Sequence, residues 1–422
     1  MSFLTSEINS QDVDADASLK IESPKLLDGV RVLDFTNVLS GPFATYQLSL
    51  FGADVIKIEQ PSRGDLARKL GADPSLNDIG YGASFLAQNS GKRSMTVNLK
   101  NPEGLEIIKR MVKEVDVVVE NFRPGVMDRL GVGKDELQKI NPQLIYCSIS
   151  GYGQTGPLSD APAYDQIVQG KSGMMSVTGT IDSGPLRSGF PVADTLGGMA
   201  AAFAVASALV RRDRLGIGAY LDVSMLESAM TAMGWVVSNN LIAGKDPQPM
   251  GNDNFTASPS GSFRTLDGQI NIAANEDRQF NALCRSITRE DLIVNPAYST
   301  RSERLKNRNA LAQEINAALG TKTTAHWVKE LSAVGVPTGE VATVPEALDS
   351  DQIKFRGFVH EVEGPDPLGK SVKVLGSPVT VDGRACAPGA AAPELGGSTG
   401  TLLAAFGYSA DQINELRECG AV

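Results

Sequence analysis

The chain has 422 residues, of which 42% are hydrophobic, so it is long enough to bury large cores and to form two or three domains. Its formal net charge of −10 argues against a nucleic-acid binder, because such a protein needs a basic face. Four cysteines lie far apart without paired spacing, which argues against zinc or a disulfide framework and indicates a reducing, cytoplasmic compartment.

Two further features bear on targeting. Residues 1–24 are polar and acidic and lack the apolar core of a signal peptide, so we expect a disordered tail. The longest uninterrupted apolar run, which follows Asp194, is shorter than the roughly 18 residues that a membrane span needs. We therefore expect a soluble protein with no membrane partner.

Strand-like and helical patterns alternate through the first half of the chain. Apolar runs at 30–35 and 55–59 flank a helix that opens at Ser40, which predicts a β-α-β unit. Further strands are expected at 94–99, 115–122 and 144–150, with a helix from Asn101 to about residue 115. This alternation predicts an α/β fold with a doubly wound parallel sheet.

The second half changes in character. A strand at 220–225 leads into a helix that ends near Gly244, and amphipathic helices follow a turn-rich loop. The expected division is a tail at 1–24, the first part of a large domain at 25–225, a linker helix at 226–245, a smaller α+β domain at 246–342, and a final segment at 343–422.

Ligands of such sheets gather beyond the carboxyl ends of the strands. Around the predicted strand 94–99 lie three cations and no acid, namely Lys92, Arg93 and Lys100, and the next predicted strand is followed by Arg123 and Arg129. They predict a basic rim for a phosphorylated ligand, although solvated surface charges would give the same pattern.

A glycine motif at 151–156 follows a predicted strand and matches a dinucleotide-binding pattern. Pro157 comes immediately after it, so no helix N-terminus is in place to receive a pyrophosphate. The motif is therefore interpreted as a turn.

Asp194 is the candidate nucleophile. A small-sided helix follows it and is closed by Arg211, Arg212 and Gly216, so Asp194 lies where a helix begins. It would then act as an N-cap, as an ionised nucleophile beside Gly197 and Gly198, or as both.

Six motifs form a set, found at 27–35, 51–59, 89–94, 119–125, 151–157 and 192–199. Together they resemble the class III CoA-transferase family, which includes formyl-CoA transferase, carnitine CoA-transferase and the related acyl-CoA racemases. The likeness is strong from Leu27 to about Met230, and the C-terminal residues 393–396 and 406–409 also fit.

The resemblance implies a role for particular residues. Asp194 matches the family's aspartate nucleophile, and Tyr164 and Asp165 fall beside the reacting thioester. Gln60, Leu39 and Leu70 differ from formyl-CoA transferase, so oxalate or formate is not singled out as the acid. The positions expected to line the CoA groove are Leu39, Ser40, Val97, Asn98, Leu99, Lys100, Asn121, Phe122, Arg123 and Arg129.

The resemblance also implies an architecture and a chemistry. The large domain would be built from both chain ends, and two subunits would form an interlocked homodimer. CoA would move from an acyl-CoA, with succinyl-CoA preferred, to a carboxylic acid through an aspartyl-CoA thioester. The CoA thioester is then a substrate, and neither a metal nor a permanently bound cofactor is expected.

Two alternatives stay open. An α-methylacyl-CoA racemase would need paired acid and base groups, and Tyr164 occupies the position of the racemase histidine. A silent CoA-binding subunit would not need Asp194. The loop at 251–261 lies about where formyl-CoA transferase has a glycine-rich flap, but its residues do not align one by one.

Overall fold

The computed structural model describes residues 25–365 and 368–422, and within them six parallel strands form the central sheet. The expected tail at 1–24 lies outside the described residues. The sheet order is β3-β2-β1-β4-β5-β6. Its strands are β1 (Arg31–Asp34), β2 (Asp54–Glu59), β3 (Arg93–Thr96), β4 (Val117–Glu120), β5 (Ile145–Ser150) and β6 (Ala219–Ser224).

Helices cover both faces of this sheet. Between the strands lie 3-10 helices at Leu66–Lys69 and Met174–Val177 and the α-helices α1 (Ser40–Leu50), α2 (Pro74–Asp78), α3 (Ala83–Asn89), α4 (Pro102–Val112), α5 (Val126–Arg129), α6 (Lys134–Ile140), α7 (Asp165–Lys171) and α8 (Val192–Leu215). After β6 come α9 (Met225–Ala232) and α10 (Gly234–Ala243). The predicted single helix after β6 is thus broken at Met233 and Gly234, where glycine lowers helix propensity.

The strands are apolar throughout because each face of the sheet packs on its own helices. Leu33 and Val118 belong to one core, and Val32 and Val117 belong to the other. The strand order reverses where β1 pairs with both β2 and β4, and ligands of such sheets bind beside that point. The doubly wound α/β fold is confirmed.

The C-terminal part of the chain returns to this sheet, as expected. It contains α16 (Val344–Asp349), α17 (Asp351–Phe355), α18 (Thr399–Ala405), α19 (Ala410–Glu418) and the strand pairs β10 (Val359–Val362) with β11 (Val372–Leu375) and β12 (Thr380–Val381) with β13 (Arg384–Ala385). Leu402 and Leu416 are buried in the core that contains Leu33. The backbone amide of Asn98 donates to the Ala421 carbonyl (2.8 Å). Strand β3 therefore ends at Thr96, whereas the predicted strand extended to residue 99.

A separate core lies in the middle of the chain. The antiparallel strands β7 (Ser260–Arg264), β8 (Gln269–Ala273) and β9 (Thr338–Glu340) pack with α11 (Asp277–Ser286), α12 (Asp291–Val294), α13 (Arg301–Lys306), α14 (Arg308–Leu319) and α15 (Thr324–Ala333). Phe280 and Trp327 are buried there. This is the smaller α+β unit, and its limits at 246 and 342 stay a prediction.

The segment 151–156 consists of bends, and no helix begins until Asp165, so its interpretation as a turn is confirmed.

Helix α8 is the one helix in the described residues that is long and apolar enough to cross a membrane. A single helix of this kind is weak evidence for a span, and 39% of its apolar window is buried, including Ala201 and Val205.

Candidate active site

Asp194 occupies the third position of α8, which begins at Val192. Pro191 stands at the N-cap, and no side chain there bonds the first amides. The interpretation of Asp194 as the N-cap is therefore wrong, because the residue lies inside the first turn. Its carboxylate does not cap the N-terminus of the helix.

Asp165, the first residue of α7, supplies the missing cap. Its Oδ1 accepts hydrogen bonds from the backbone amides of Ala193 (2.8 Å) and Asp194 (3.3 Å). Its Oδ2 accepts from Gln169 Nε2 (2.6 Å), and Gln169 Oε1 accepts from the Ser188 amide (2.8 Å). This relay holds both the start of α8 and the segment that leads to it.

The environment of Asp194 favours its neutral form. Burial and the negative charge of Asp165 together raise the pKa of Asp194 to about 7. The expectation that the helix end keeps this carboxylate fully ionised is therefore wrong at neutral pH. A carboxylate with a pKa near 7 is more basic than an ordinary one, and such shifts are typical of functional sites.

The effect of Asp165 on the pKa of Asp194 can be tested by the pH dependence of the reaction. As the predicted nucleophile, Asp194 would attack only in its ionised form, so kcat/KM is expected to rise as the pH passes about 7. Asp165→Asn removes the neighbouring charge but keeps an oxygen for the amides, so the inflection should move to lower pH. The measurement is kcat/KM between about pH 5 and 9.

Asp213→Asn is the matched control, because it removes an exposed charge at the other end of α8. Its inflection should stay where the parent has it. An unchanged inflection in Asp165→Asn would show that Asp165 does not set the titration.

Glycines bring α8 against α1. A Cβ added at Gly198 would lie 2.5 Å from the Ser40 carbonyl oxygen, and one at Gly197 would lie 3.1 Å from Ser40 Oγ. The absence of side chains at these glycines therefore gives room to the N-terminus of α1. Ser40 and Asp194 are thereby placed on facing helical turns.

A groove of about 370 Å³ lies beyond the carboxyl ends of β1 to β4. Five of the predicted CoA-binding residues line it, namely Val97, Asn98, Leu99, Lys100 and Phe122. It is also lined by Asn37, Gln60, Arg63 and Leu130, which were not among the residues predicted to bind CoA. The strand pattern did point to three of them, because Asn37, Gln60 and Arg63 come within a few residues of the ends of β1 and β2.

Other predicted residues lie around the groove without lining it. Asn121 links the segments that follow β1 and β4, since its side chain accepts from the Asn37 backbone amide (2.8 Å) and donates to the Asn37 carbonyl (2.9 Å). Arg123 borders a smaller neighbouring cavity that also contains Glu120. Leu39 and Ser40 stand at the start of α1, and Arg129 ends α5.

Tyr164 and Asp165 separate in the structure. Tyr164 is 71% exposed, whereas Asp165 is 8% exposed beneath the first turn of α8. Of this pair, only Asp165 contacts the backbone of Asp194.

The predicted basic rim is only partly correct. Lys92 is buried and pairs with Asp34 (2.9 Å), and Arg93 pairs with Asp54 on the neighbouring strand. These two cations have structural roles, because the charge of Lys92 is paired with a buried carboxylate and that of Arg93 with a carboxylate on the neighbouring strand. Lys100 and Arg63 remain as the cations on the groove.

Comparisons with known proteins identify the family. The model of CoA-transferase family III matches residues 27–399, so the chain belongs to that family and is an enzyme. The chain is 37% identical to the succinyl-CoA:glutarate CoA-transferase of Mus musculus, over 82% of this chain and 78% of the relative.

Two other relatives extend the likeness. The acetyl-CoA:oxalate CoA-transferase of Acetobacter aceti is 40% identical over 83% of this chain and 89% of its own. A crystal structure of a CaiB/BaiF family protein from Brucella suis superimposes with a TM-score of 0.80 at 32% identity, covering 91% of this chain and 100% of that one.

Proposed function

We propose that this enzyme transfers CoA from an acyl-CoA, preferably succinyl-CoA, to a carboxylic acid through an aspartyl-CoA thioester on Asp194. The observation that carries the proposal is a carboxylate without a capping role, whose pKa is raised to about 7. Residues 37–40 connect it to the groove, because Asn37 lines the groove and Ser40 packs against α8.

The chemistry proceeds in two exchanges. An oxygen of Asp194 attacks the thioester carbon, and the tetrahedral intermediate expels CoA thiolate to leave a mixed anhydride. The thiolate then attacks the Asp194 carbonyl carbon and releases the acyl group as a carboxylate. The incoming acid reverses both steps, so every bond broken is matched by one formed and no external reductant or oxidant is needed.

The names of relatives guide the choice of acid. Glutarate, oxalate and mesaconate occur in the names of succinyl- or acetyl-CoA transferases that are 34% to 40% identical to this chain. All three are dicarboxylic acids. We propose a dicarboxylic acid as the acceptor.

The decisive experiment is peptide mass spectrometry after incubation with succinyl-CoA in the absence of an acceptor acid. The expected result is CoA attached to the peptide that contains Asp194, with loss of the adduct when glutarate or another dicarboxylate is added. Butyrate, which is glutarate without one of its carboxyl groups, is the matched monocarboxylate and should remove the adduct less well. An enzyme that transfers CoA without ever carrying it on that peptide would contradict the covalent route.

The groove makes a separate prediction for CoA binding. Lys100→Ala is expected to weaken CoA binding about fivefold at low salt, which corresponds to about 1 kcal/mol for an exposed charge pair. Arg129→Ala, beside the groove residue Leu130, should have a smaller effect. Both effects should shrink at high salt because ions screen exposed charges.

Calorimetric titration with CoA at two salt concentrations measures this. Lys113→Ala is the control, because it removes an exposed lysine that borders a separate cavity with Asp116 and Arg212. If Lys100→Ala and Lys113→Ala bind CoA equally well, Lys100 does not contact the phosphates.

Racemisation has less support. Within the described residues, His326 bonds to Glu330 on α15, and His360 lies on β10. Neither histidine borders Asp194 or the groove. Tyr164 stands where the racemases have their histidine, so the acid and base pair is incomplete.

We propose a cytoplasmic homodimer that needs no permanently bound cofactor. All four cysteines are free, which suits a reducing compartment. Large apolar side chains are exposed on α8, α10 and α17, including Phe203 (76%), Ile242 (86%) and Phe355 (90%), and a second copy would cover them. A monomer by light scattering at assay concentration would contradict the dimer.

A further inference from the structure

Ser40 has a buried hydroxyl that the fold does not use. Its side chain is at the start of α1, only 2% of the residue is exposed, and Oγ has no hydrogen-bond partner among the described residues. A buried polar group without a partner costs about 1 to 3 kcal/mol, so its presence calls for an explanation.

The hydroxyl lies beside the helical turn that carries Asp194. Ser40 Oγ is 3.1 Å from the point where a Cβ on Gly197 would be, and Gly197 is three residues after Asp194. Residues three apart on a helix have Cβ atoms about 5 to 6 Å apart, which puts Ser40 Oγ within about 9 Å of the Asp194 Cβ. Because Gly197 has no side chain, none stands between them at that position.

The position of Ser40 is fixed by buried ion pairs. Asp65 accepts from the Val38 amide (2.9 Å) and pairs with Lys57 (2.8 Å), which holds Val38 at a φ of 67°. Lys92 donates to the Pro42 carbonyl (3.0 Å). The start of α1 is therefore anchored on both sides of Ser40.

Helix α1 has a second unused feature. It is 11 residues long, and no side chain caps its N-terminus. An uncapped N-terminus carries a partial positive charge and favours a nearby anion. The free hydroxyl and the free helix end thus face the same turn of α8.

We propose that the Ser40 hydroxyl donates a hydrogen bond to the oxyanion that forms on the Asp194 side chain during transfer. This inference rests on the proposed covalent route. When CoA thiolate attacks the carbonyl carbon of the mixed anhydride, the C=O electron pair moves to the Asp194 oxygen. Ser40 stabilises that charge and keeps its proton, and the intermediate then expels the acyl carboxylate.

The same oxyanion forms again when the acceptor acid attacks the aspartyl-CoA thioester. Ser40 is fixed against α8 and not against the substrate, so it acts on the intermediates centred on Asp194. The first attack, which places the oxyanion on the acyl group, should depend on Ser40 less. Removing one oxyanion donor typically lowers kcat by about 10² to 10³.

The test compares Ser40→Ala, Ser40→Cys and the control Ser49→Ala, which removes a hydroxyl from the same helix. Rapid-quench mass spectrometry with succinyl-CoA follows the CoA adduct on the Asp194 peptide. Ser40→Ala is expected to form it about 100-fold more slowly, with the Kd for CoA within about twofold of the parent and with thermal stability equal or higher. Ser40→Cys, whose thiol is a weaker donor than the hydroxyl, should form the adduct at a rate between those of Ser40→Ala and the parent.

Four outcomes would overturn the proposal. Ser40→Ala could form the adduct at the parent rate, or its loss could lie in CoA affinity alone, which would indicate a binding role. If both Ser40 variants fail to fold, the hydroxyl is structural. A parent enzyme without any adduct would instead refute the covalent route itself, and the role of Ser40 with it.

Discussion

Asp194→Asn is expected to abolish CoA transfer, with a loss of more than about 10⁴-fold in kcat, because an amide cannot attack the thioester. Asn is similar in size and keeps the start of α8 intact, since Asp165 and not Asp194 caps the helix. The protein should still fold and bind CoA. The assay is CoA transfer from succinyl-CoA, with the mass of the variant checked to exclude deamidation to aspartate.

The same variant should be more stable than the parent above neutral pH. The pKa of Asp194 is raised from 3.8 to about 7, so the folded chain binds a proton that the unfolded chain has released. Stability from this group is therefore lost as the pH rises toward about 7. Each unit of pKa shift corresponds to about 1.4 kcal/mol, which gives a few kcal/mol at most.

Asparagine does not titrate, so the gain over the parent should be absent below about pH 4 and largest above about pH 7. The stability of Asp194→Ala should depend on pH in the same way. Loss of an N-cap typically costs about 0.5 to 2 kcal/mol, and this cost should be absent because Asp165 caps the helix. Thermal unfolding at several pH values measures this. An Asn variant that is destabilised at every pH, or one that still transfers CoA near the parent rate, would contradict the role of Asp194.

Lys57→Met is expected to cause the largest loss of stability. The side chain of Lys57 is fully buried and pairs with Asp65, which is equally buried. Burial alone would lower the pKa of Lys57, but Asp65, Asp34 and Glu59 outweigh it and raise that pKa. Removing this cation leaves three buried carboxylates with one fewer positive charge, a change that typically costs about 3 to 5 kcal/mol.

The matched control is Arg93→Met. Arg93 also pairs with a carboxylate of the central sheet, Asp54, but both side chains are more than one third exposed. Such pairs contribute at most about 1 kcal/mol. Urea unfolding of the two variants should differ clearly, and equal losses would show that burial does not govern the Lys57 pair.

The sequence alone predicted most of the sheet. Parallel strands that are buried on both faces are apolar along their whole length, and β4 and β5 stand out for that reason. The limits of the strands were less accurate. Residues 97–99 were expected to continue β3, but Asn98 bonds to Ala421 instead, and no local pattern reveals a partner over 300 residues away.

The candidate site was predicted in part for a similar reason. Val97 to Lys100 and Phe122 follow strands, and the carboxyl ends of parallel strands share one edge, so their place on the groove follows from the pattern. Lys92 was predicted to belong to the same basic rim as Lys100, yet it is buried against Asp34. A charged residue does not disclose its burial, because that depends on which helix packs over it.

The sequence by itself therefore determined the α/β architecture, the family and Asp194 as the candidate nucleophile, since these depend on apolar periodicity and on motifs that are local in the chain. Only the tertiary structure decided the surroundings of Asp194. Asp165 caps its helix from 29 residues away, and Ser40 lies beside Gly197 more than 150 residues away along the chain. These contacts depend on packing between α1, α7 and α8, which fixes which polar atoms meet and which are left without a partner.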